Sequence, residues 1–357
     1  MNKNQASPPS SKAGEQAALD LLQGVLKRAR SHGAETADAV LFEGTAVAAS
    51  VRLGKPEGIE RSEGRDLGLR VLIGKRQAFV ATTDTAPTSL DGMVERAIAM
   101  ARAAPEDDYC GLADRADQAS TWPDLDLGDE GGPSEKELLA RALATEEAAL
   151  AVKGVVNSEG GDASFSCSLA ALATSTGFAG AYSGTRHGVS AAVVASNGEG
   201  MERDYDFASA HHLADLPDPA SVGRKAGENA VKRLGPRKVA SQAAPVVFDP
   251  RVAGSLVSHL ASAINGQAVA RGTSFLKDRM GQAIFATGVR IVDDPLRRRG
   301  LRSRPFDGEG LACVERALID DGRLTTWLLD CASGRQLRLP STGHASRGTG
   351  GPPPPTP

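Results

Sequence analysis

The sequence predicts an α+β protein in which an α/β amino-terminal domain is followed by β-rich middle and carboxyl-terminal domains. Three observations carry this. In successive segments the apolar residues recur at about 3.6 or about 2 residues, the periods of an amphipathic helix and of a strand with one covered face. A length of 357 residues exceeds one ordinary core and suggests two or three domains. The 40 glycines, against only 4% aromatic residues, favour small-residue packing and many turns.

With 41% hydrophobic and 24% charged residues, the chain has the make-up of a soluble globular protein. Its net charge of -3 and pI near 6.1 supply no general field for nucleic acid or an anionic membrane. Cys110, Cys167, Cys313 and Cys331 are scattered without metal-ligand spacing, so thiols in a reducing cytoplasm are expected. Residues 1–14 are rich in Ser, Pro, Asn and Lys and lack an apolar run; they read as a disordered leader, neither signal peptide nor membrane span.

The amino-terminal domain is expected over residues 15–112. Leu19, Leu22, Leu26 and Ala29 share one helical face, and Gly33 stops that helix. Strand patterns follow over residues 39–42 and 46–53, with Gly54-Lys-Pro56 breaking the second. Alternation from Leu67 to Ile73, the turn Gly74-Lys75 and a return over 77–82 predict a hairpin. Gly68 through Gly74-Lys75 is not a phosphate loop: the glycine gap is one residue too long and Arg76 stands where Ser or Thr is required. From Pro87 the period turns helical as far as Ala104. Residues 113–133 read as a linker, with Trp122-Pro123 pinning it to a neighbour.

In the middle domain, residues 134–240, Ser134 and Glu137 form a capping-box signature ahead of a helix closed by Gly154. Short apolar alternations over 155–207 predict an antiparallel sheet, and Asp218-Pro219 opens another helix. The hydroxyls of Thr174-Ser-Thr176 have no motif that would position a base, so they read as strand or turn residues rather than nucleophiles.

The carboxyl-terminal domain, residues 241–345, starts with Pro245-Val-Val-Phe248, an apolar run suited to a buried strand. Asp249 is a candidate N-cap and Pro250 a first helical residue. Val252, Leu256, His259, Leu260 and Ala263 then share one face, and Gly266 is positioned to close the helix in the left-handed conformation. Short strands are expected over 283–285, 289–292, 311–319 and 324–329. Arg290, Arg297, Arg298, Arg299, Arg302 and Arg304 crowd around Asp293-Asp294, as a solvated loop or as a surface for an anionic partner. Residues 346–357, rich in Gly and Pro, read as an extended, uncored tail.

After that helix come Gly272-Thr-Ser-Phe-Leu276, Gly288-Val-Arg-Ile-Val-Asp-Asp-Pro295, Pro305-Phe-Asp-Gly-Glu-Gly310 and Leu339-Pro-Ser-Thr-Gly-His344. With Gly68-Leu-Arg-Val71, Ala81-Thr-Thr-Asp84 and Glu106-Asp-Asp-Tyr-Cys-Gly-Leu112, they resemble the TldD/PmbA family, closer to its PmbA (TldE) branch, over about residues 60–345. In the TldD branch the helix carries a His-Glu-x-x-x-His motif with two zinc-binding histidines and a glutamate base. Here the histidine positions fall on Ser258 and Ala263 and the glutamate position on His259. A serine hydroxyl is a poor zinc donor and an alanine is none. The resemblance therefore implies a chain with no catalytic or metal-ligating residues of its own, in which a lone His259 reads as a hydrogen-bonded core or interface residue.

It further implies a cytoplasmic assembly that degrades or processes unfolded peptides. Zinc would sit on a TldD-like partner in a heterodimer. An inactive homodimeric peptide-binding scaffold, a hydrolase with a different metal site, and a regulator such as the family's DNA gyrase modulator label describes stay open. Relatives continue past Ser341-Thr-Gly-His344, so the carboxyl-terminal domain is expected to be incomplete or completed by a partner. Residues 190–195, small and hydroxyl-rich, are the expected edge on which an extended substrate pairs.

Overall fold

The structure is a computed structural model that describes residues 11–352 and 354–356. Residues 1–10 of the expected leader lie outside the described residues. Residues 12–14 of that leader belong to helix α1 (Lys12–Ser31), because the Ser11 side chain accepts from Gly14 N at 3.0 Å and so caps it.

Strand β1 (Thr36–Arg52) runs without a break through Glu43-Gly44 and turns into β2 (Lys55–Ile73). The expected break at residues 54–56 is this turn. Leu53 and Gly54 take φ of 50° and 73°, the left-handed pair a two-residue hairpin turn requires. The buried Glu146 accepts from their N–H groups at 2.7 and 2.8 Å. Most of β2 before Leu67 is exposed and polar, so its sequence does not alternate; the ladder with β1 holds it extended, from Arg52↔Lys55 to Thr36↔Leu72. Strand β3 (Arg76–Thr82) returns from the predicted turn, pairing Ile73 with Arg76 and Leu67 with Thr82. Helix α2 (Pro87–Ala103) follows.

Helix α3 (Glu135–Leu150) starts at the predicted capping box, with both reciprocal bonds between Ser134 and Glu137 present. Strands β4 (Val155–Thr174), β5 (Ala179–Ser196) and β6 (Met201–Ala210) and helix α4 (Pro219–Lys232) complete the middle region. All six strands form one antiparallel sheet in the order β3-β2-β1-β4-β5-β6. The segments on either side of residues 113–133 thus share a sheet, joined where β1 pairs with β4.

Side-chain parity sorts the two faces. Ala37, Ala39 and Leu41 of β1 pack under α1 and α2. Ala49 and Val51 continue on the same parity under Leu138 and Ala142 of α3 and Val222 of α4. Val40 and Phe42 point the other way, into an aromatic cluster with Trp122, Phe178 and Phe306. The centroids of Trp122 and Phe306 lie 4.9 Å apart, which ties the 113–133 segment to the carboxyl-terminal region.

That region contains α5 (Pro250–Ala263), α6 (Gly266–Ala270), β7 (Ile291–Asp293), β8 (Arg316–Asp320), β9 (Arg323–Leu324) and α7 (Cys331–Leu337). Its core gathers Leu260, Ile264, Leu318, Ile319, Leu324 and Leu328. Its strands are fewer and shorter than the pattern suggests, because side chains take up backbone donors that a ladder would otherwise use. Asp307, for example, accepts from the N–H groups of Glu309, Leu311 and Ala345.

Three expectations fail here. Residues 245–248 form no strand; Val246 and Val247 are 72% and 94% exposed, with no strand among the described residues paired to them. Gly266 does not close α5. Ile264 does, and Gly266 opens α6, where a Cβ would meet Leu329 Cδ2 at 2.5 Å and Leu328 O at 2.7 Å. The tail is not uncored over its described part: Pro355 is buried and bridged to Ala345, and Thr356 N donates to His344 O at 2.7 Å. Among the described residues no helix is long and apolar enough to cross a membrane.

Candidate functional site

Helix α5 starts as its sequence dictates, with Asp249 accepting from Arg251 N at 2.9 Å and Pro250 in the first turn. Its packing does not follow. Only Leu260, Ala261 and Ala263 in its last turn are buried, while Val252, Leu256 and Val257 are about half exposed at 52%, 49% and 47%. Arg251 fastens the first turn to β6, donating to Asp204 Oδ1 and to Tyr205 O, both at 2.9 Å.

Ser258 and His259 are exposed on this helix and Ala263 is buried. His259 is exposed and therefore not a core histidine, although Leu260 and Ala261 beside it are buried. The Ser258 hydroxyl donates to Gly254 O at 3.1 Å. This set does not fit zinc: Ala263 has no donor atom, Ser258 offers a neutral hydroxyl, and one imidazole cannot replace three ligands. Among the described residues no group of three or more His, Cys, Asp or Glu side chains is placed to hold a metal ion.

The carboxyl-terminal region docks on the sheet through a buried charge cluster. Asp38 on β1 receives Arg70 from β2 and, at 3.0 Å, Arg347 Nε. Burial pushes the Asp38 carboxyl up, but the Arg70 and Arg347 guanidiniums together outweigh it and hold it below the usual carboxylate range. Glu309 lies close enough to Arg70 to feel its charge and accepts from Cys331 N at 2.8 Å. Burial, with the neighbouring Asp307 charge, raises Glu309 to about 7. Burial and then Glu309 push the Cys331 thiol up, so it is not poised as a thiolate nucleophile.

Beside this cluster a cavity of about 520 Å³ opens between the even-parity face of β1, β4 and β5 and the loop 301–304. Phe42, Tyr182, Arg186, His211, Arg302 and Arg304 line it. The sequence leaves the arginine-rich loop open as a surface for an anionic partner but not as a cleft, because strand residues and a loop more than 110 positions later meet only in the folded chain. Residues 190–195 are not an edge: β5 pairs with β4 on one side and β6 on the other, and the sheet edges are β3 and β6.

Family models of the PmbA/TldA metallopeptidases match in three consecutive parts: domain 1 over residues 37–101, the central domain over 128–234 and the C-terminal domain over 241–357. The chain is 36% identical over 329 residues to metalloprotease PmbA of Escherichia coli O157:H7, covering 92% of this chain and 71% of that protein. It is 31% identical to the metalloprotease PmbA homolog of Haemophilus influenzae, covering 94% and 74%. Among solved structures it superposes on a candidate modulator of DNA gyrase from Bacteroides thetaiotaomicron with a TM-score of 0.85 at 25% identity, covering 90% and 74%. TldE of Thermococcus kodakarensis shares the fold, with a TM-score of 0.79 at 18% identity over 94% and 75% of the two chains. The chain belongs to the PmbA/TldD metallopeptidase family.

Proposed function

We propose that this chain is the non-catalytic subunit of a zinc metallopeptidase assembly, with the zinc carried by a TldD-like paralogue and unfolded peptides as substrate. The observation that carries this is α5, which by the sequence resemblance corresponds to the family's metal-binding helix but offers Ser258, His259 and Ala263. The names of its relatives as metalloproteases and as TldE fit such a division of labour. The uncovered apolar residues Val252, Leu256 and Val257, continuous with exposed Val246 and Val247, give the paralogue a docking surface. A cytoplasmic setting agrees with Cys110, Cys313 and Cys331 standing as free thiols.

The test is metal analysis of the dialysed chain together with a peptide-cleavage assay, alone and mixed with a zinc-bearing TldD-like protein. The expected result is no stoichiometric zinc and no cleavage alone, with cleavage of unstructured peptides by the mixture. One tightly held zinc per chain, or turnover by the chain alone, overturns the proposal.

A further inference from the structure

The cavity on the even-parity face of the sheet gathers arginines whose charge no carboxylate among the described residues pairs. Of the arginines in the loop after β7, Arg298 and Arg299 pin it down through Asp126 at 2.9 and 2.6 Å, and Arg299 also reaches Asp215 at 3.0 Å. Arg302 and Arg304 line the cavity instead, opposite Arg186 of β5. Among the described residues none of these three forms an ion pair; the carboxylate of Glu43, of odd parity, turns to the helix-covered face, where it meets Arg65.

The protein bonds they make are few. Arg186 Nη2 donates to Leu301 O at 3.1 Å, and Arg304 Nη2 donates to Thr356 O at 3.0 Å and meets the Cys313 thiol. A guanidinium has five N–H donors, so most of each fork remains open. The floor between them includes the aromatic side chains of Phe42 and Tyr182. Tyr182 stacks edge-on against Phe306 at 5.4 Å, and its hydroxyl has no hydrogen-bond partner among the described residues. A second cavity of about 160 Å³ adjoins the first, sharing Phe42, Ala170, Tyr182 and Arg304 and reaching Arg347.

We infer that this cleft is a carboxylate-recognition site for a peptide chain, with Arg186, Arg302 and Arg304 receiving the carboxylate and Phe42 and Tyr182 receiving the adjoining residue. Guanidinium forks match planar carboxylates through paired charge-assisted bonds, and an aromatic floor supplies sequence-tolerant apolar contact. The volume fits a few peptide residues, within the usual range for small-ligand sites. The carboxylate can come from a chain terminus or from an Asp or Glu side chain. The inference rests on the reading of this chain as peptide-binding and places that binding on its own surface, away from any zinc.

The test uses the full chain alone, so it needs neither partner nor metal. Acetyl-trialanine with a free carboxyl end is titrated by calorimetry beside its carboxyl-terminal amide, and beside an amide in which the last residue is Glu. The free acid is expected to bind at least about tenfold more tightly than the plain amide, with affinity falling as salt rises. The Arg186→Gln/Arg302→Gln double variant, both positions exposed, is expected to lose that preference at unchanged melting temperature. Binding of the Glu-containing amide at the strength of the free acid supports the site and assigns it to side-chain carboxylates; its failure to bind supports the site and assigns it to chain termini. Equal binding of acid and plain amide overturns the carboxylate site while leaving peptide binding intact. No binding of any of the three overturns the site, while cleavage by the mixed assembly is decided separately by the zinc experiment.

Discussion

Glu309 is a residue whose charge state the fold plainly disturbs. Its carboxyl is 4% exposed, accepts from Cys331 N, and is raised from 4.5 to about 7 by burial and by Asp307. A carboxyl with a raised folded-state pKa holds its proton in the native state after the unfolded chain has released its own. Its contribution is therefore fully present below about 4.5 and is lost as pH rises through about 7. Asp38 works in the opposite sense: its lowered pKa gives stability that is lost in acid. The expected outcome for Glu309→Gln is little change in melting temperature at pH 5 and a higher one than the parent at pH 8, where the variant is more stable by up to about 3 kcal/mol. Thermal unfolding of both proteins across pH 5 to 8 checks it. A variant equally destabilised at both ends would show that the carboxylate is needed as a charge beside Arg70.

At the scale of elements, the glycine-rich composition is used where α3 crosses α4. A Cβ on Gly223 would lie 1.8 Å from Thr145 O, and one on Gly227 would lie 2.7 Å from Val152 Cγ2 and 2.8 Å from Ala149 O. Backbone therefore meets backbone, and neither helix can yield by turning a side chain. Gly223→Ala is expected to destabilise the protein by about 1–3 kcal/mol or more, the range for overpacking, although alanine favours an isolated helix over glycine. Denaturant unfolding gives the sign directly. Stability equal to or above the parent would mean that the two helices separate without cost. Gly254 on α5 is the internal comparison: nothing lies within 4 Å of a Cβ there, so Gly254→Ala should be neutral or stabilising.

For the molecule as a whole, the question is what covers the first turns of α5. Leu256 is 49% exposed and makes no part of the carboxyl-terminal core, so Leu256→Asp should leave the folded chain intact. If this face docks a TldD-like paralogue, as proposed above, burying an unpaired aspartate there is costly and the heterodimer should weaken by at least about tenfold. Light scattering of the mixed chains at micromolar concentration, with the melting temperature of the variant as control, decides it. A heterodimer of unchanged affinity would move the interface elsewhere.

The sequence by itself determined the elements that local chemistry specifies. The Ser134-Glu137 box, the Gly74-Lys75 hairpin, the Asp218-Pro219 and Asp249-Pro250 helix starts and the family likeness were all legible, because each is written within a few neighbouring residues. What only the tertiary structure decided involves contacts between distant segments. The polar first half of β2 is a strand because β1 offers it a ladder, and residues 245–248 are not one because no strand lies beside them. His259 is exposed although Leu260 and Ala261 beside it are buried in the carboxyl-terminal core. The cleft exists because loop 301–304 folds onto strands more than 110 residues earlier. Hydrophobic period records which side of a segment prefers burial, but the partner that provides it is set by the assembled chain.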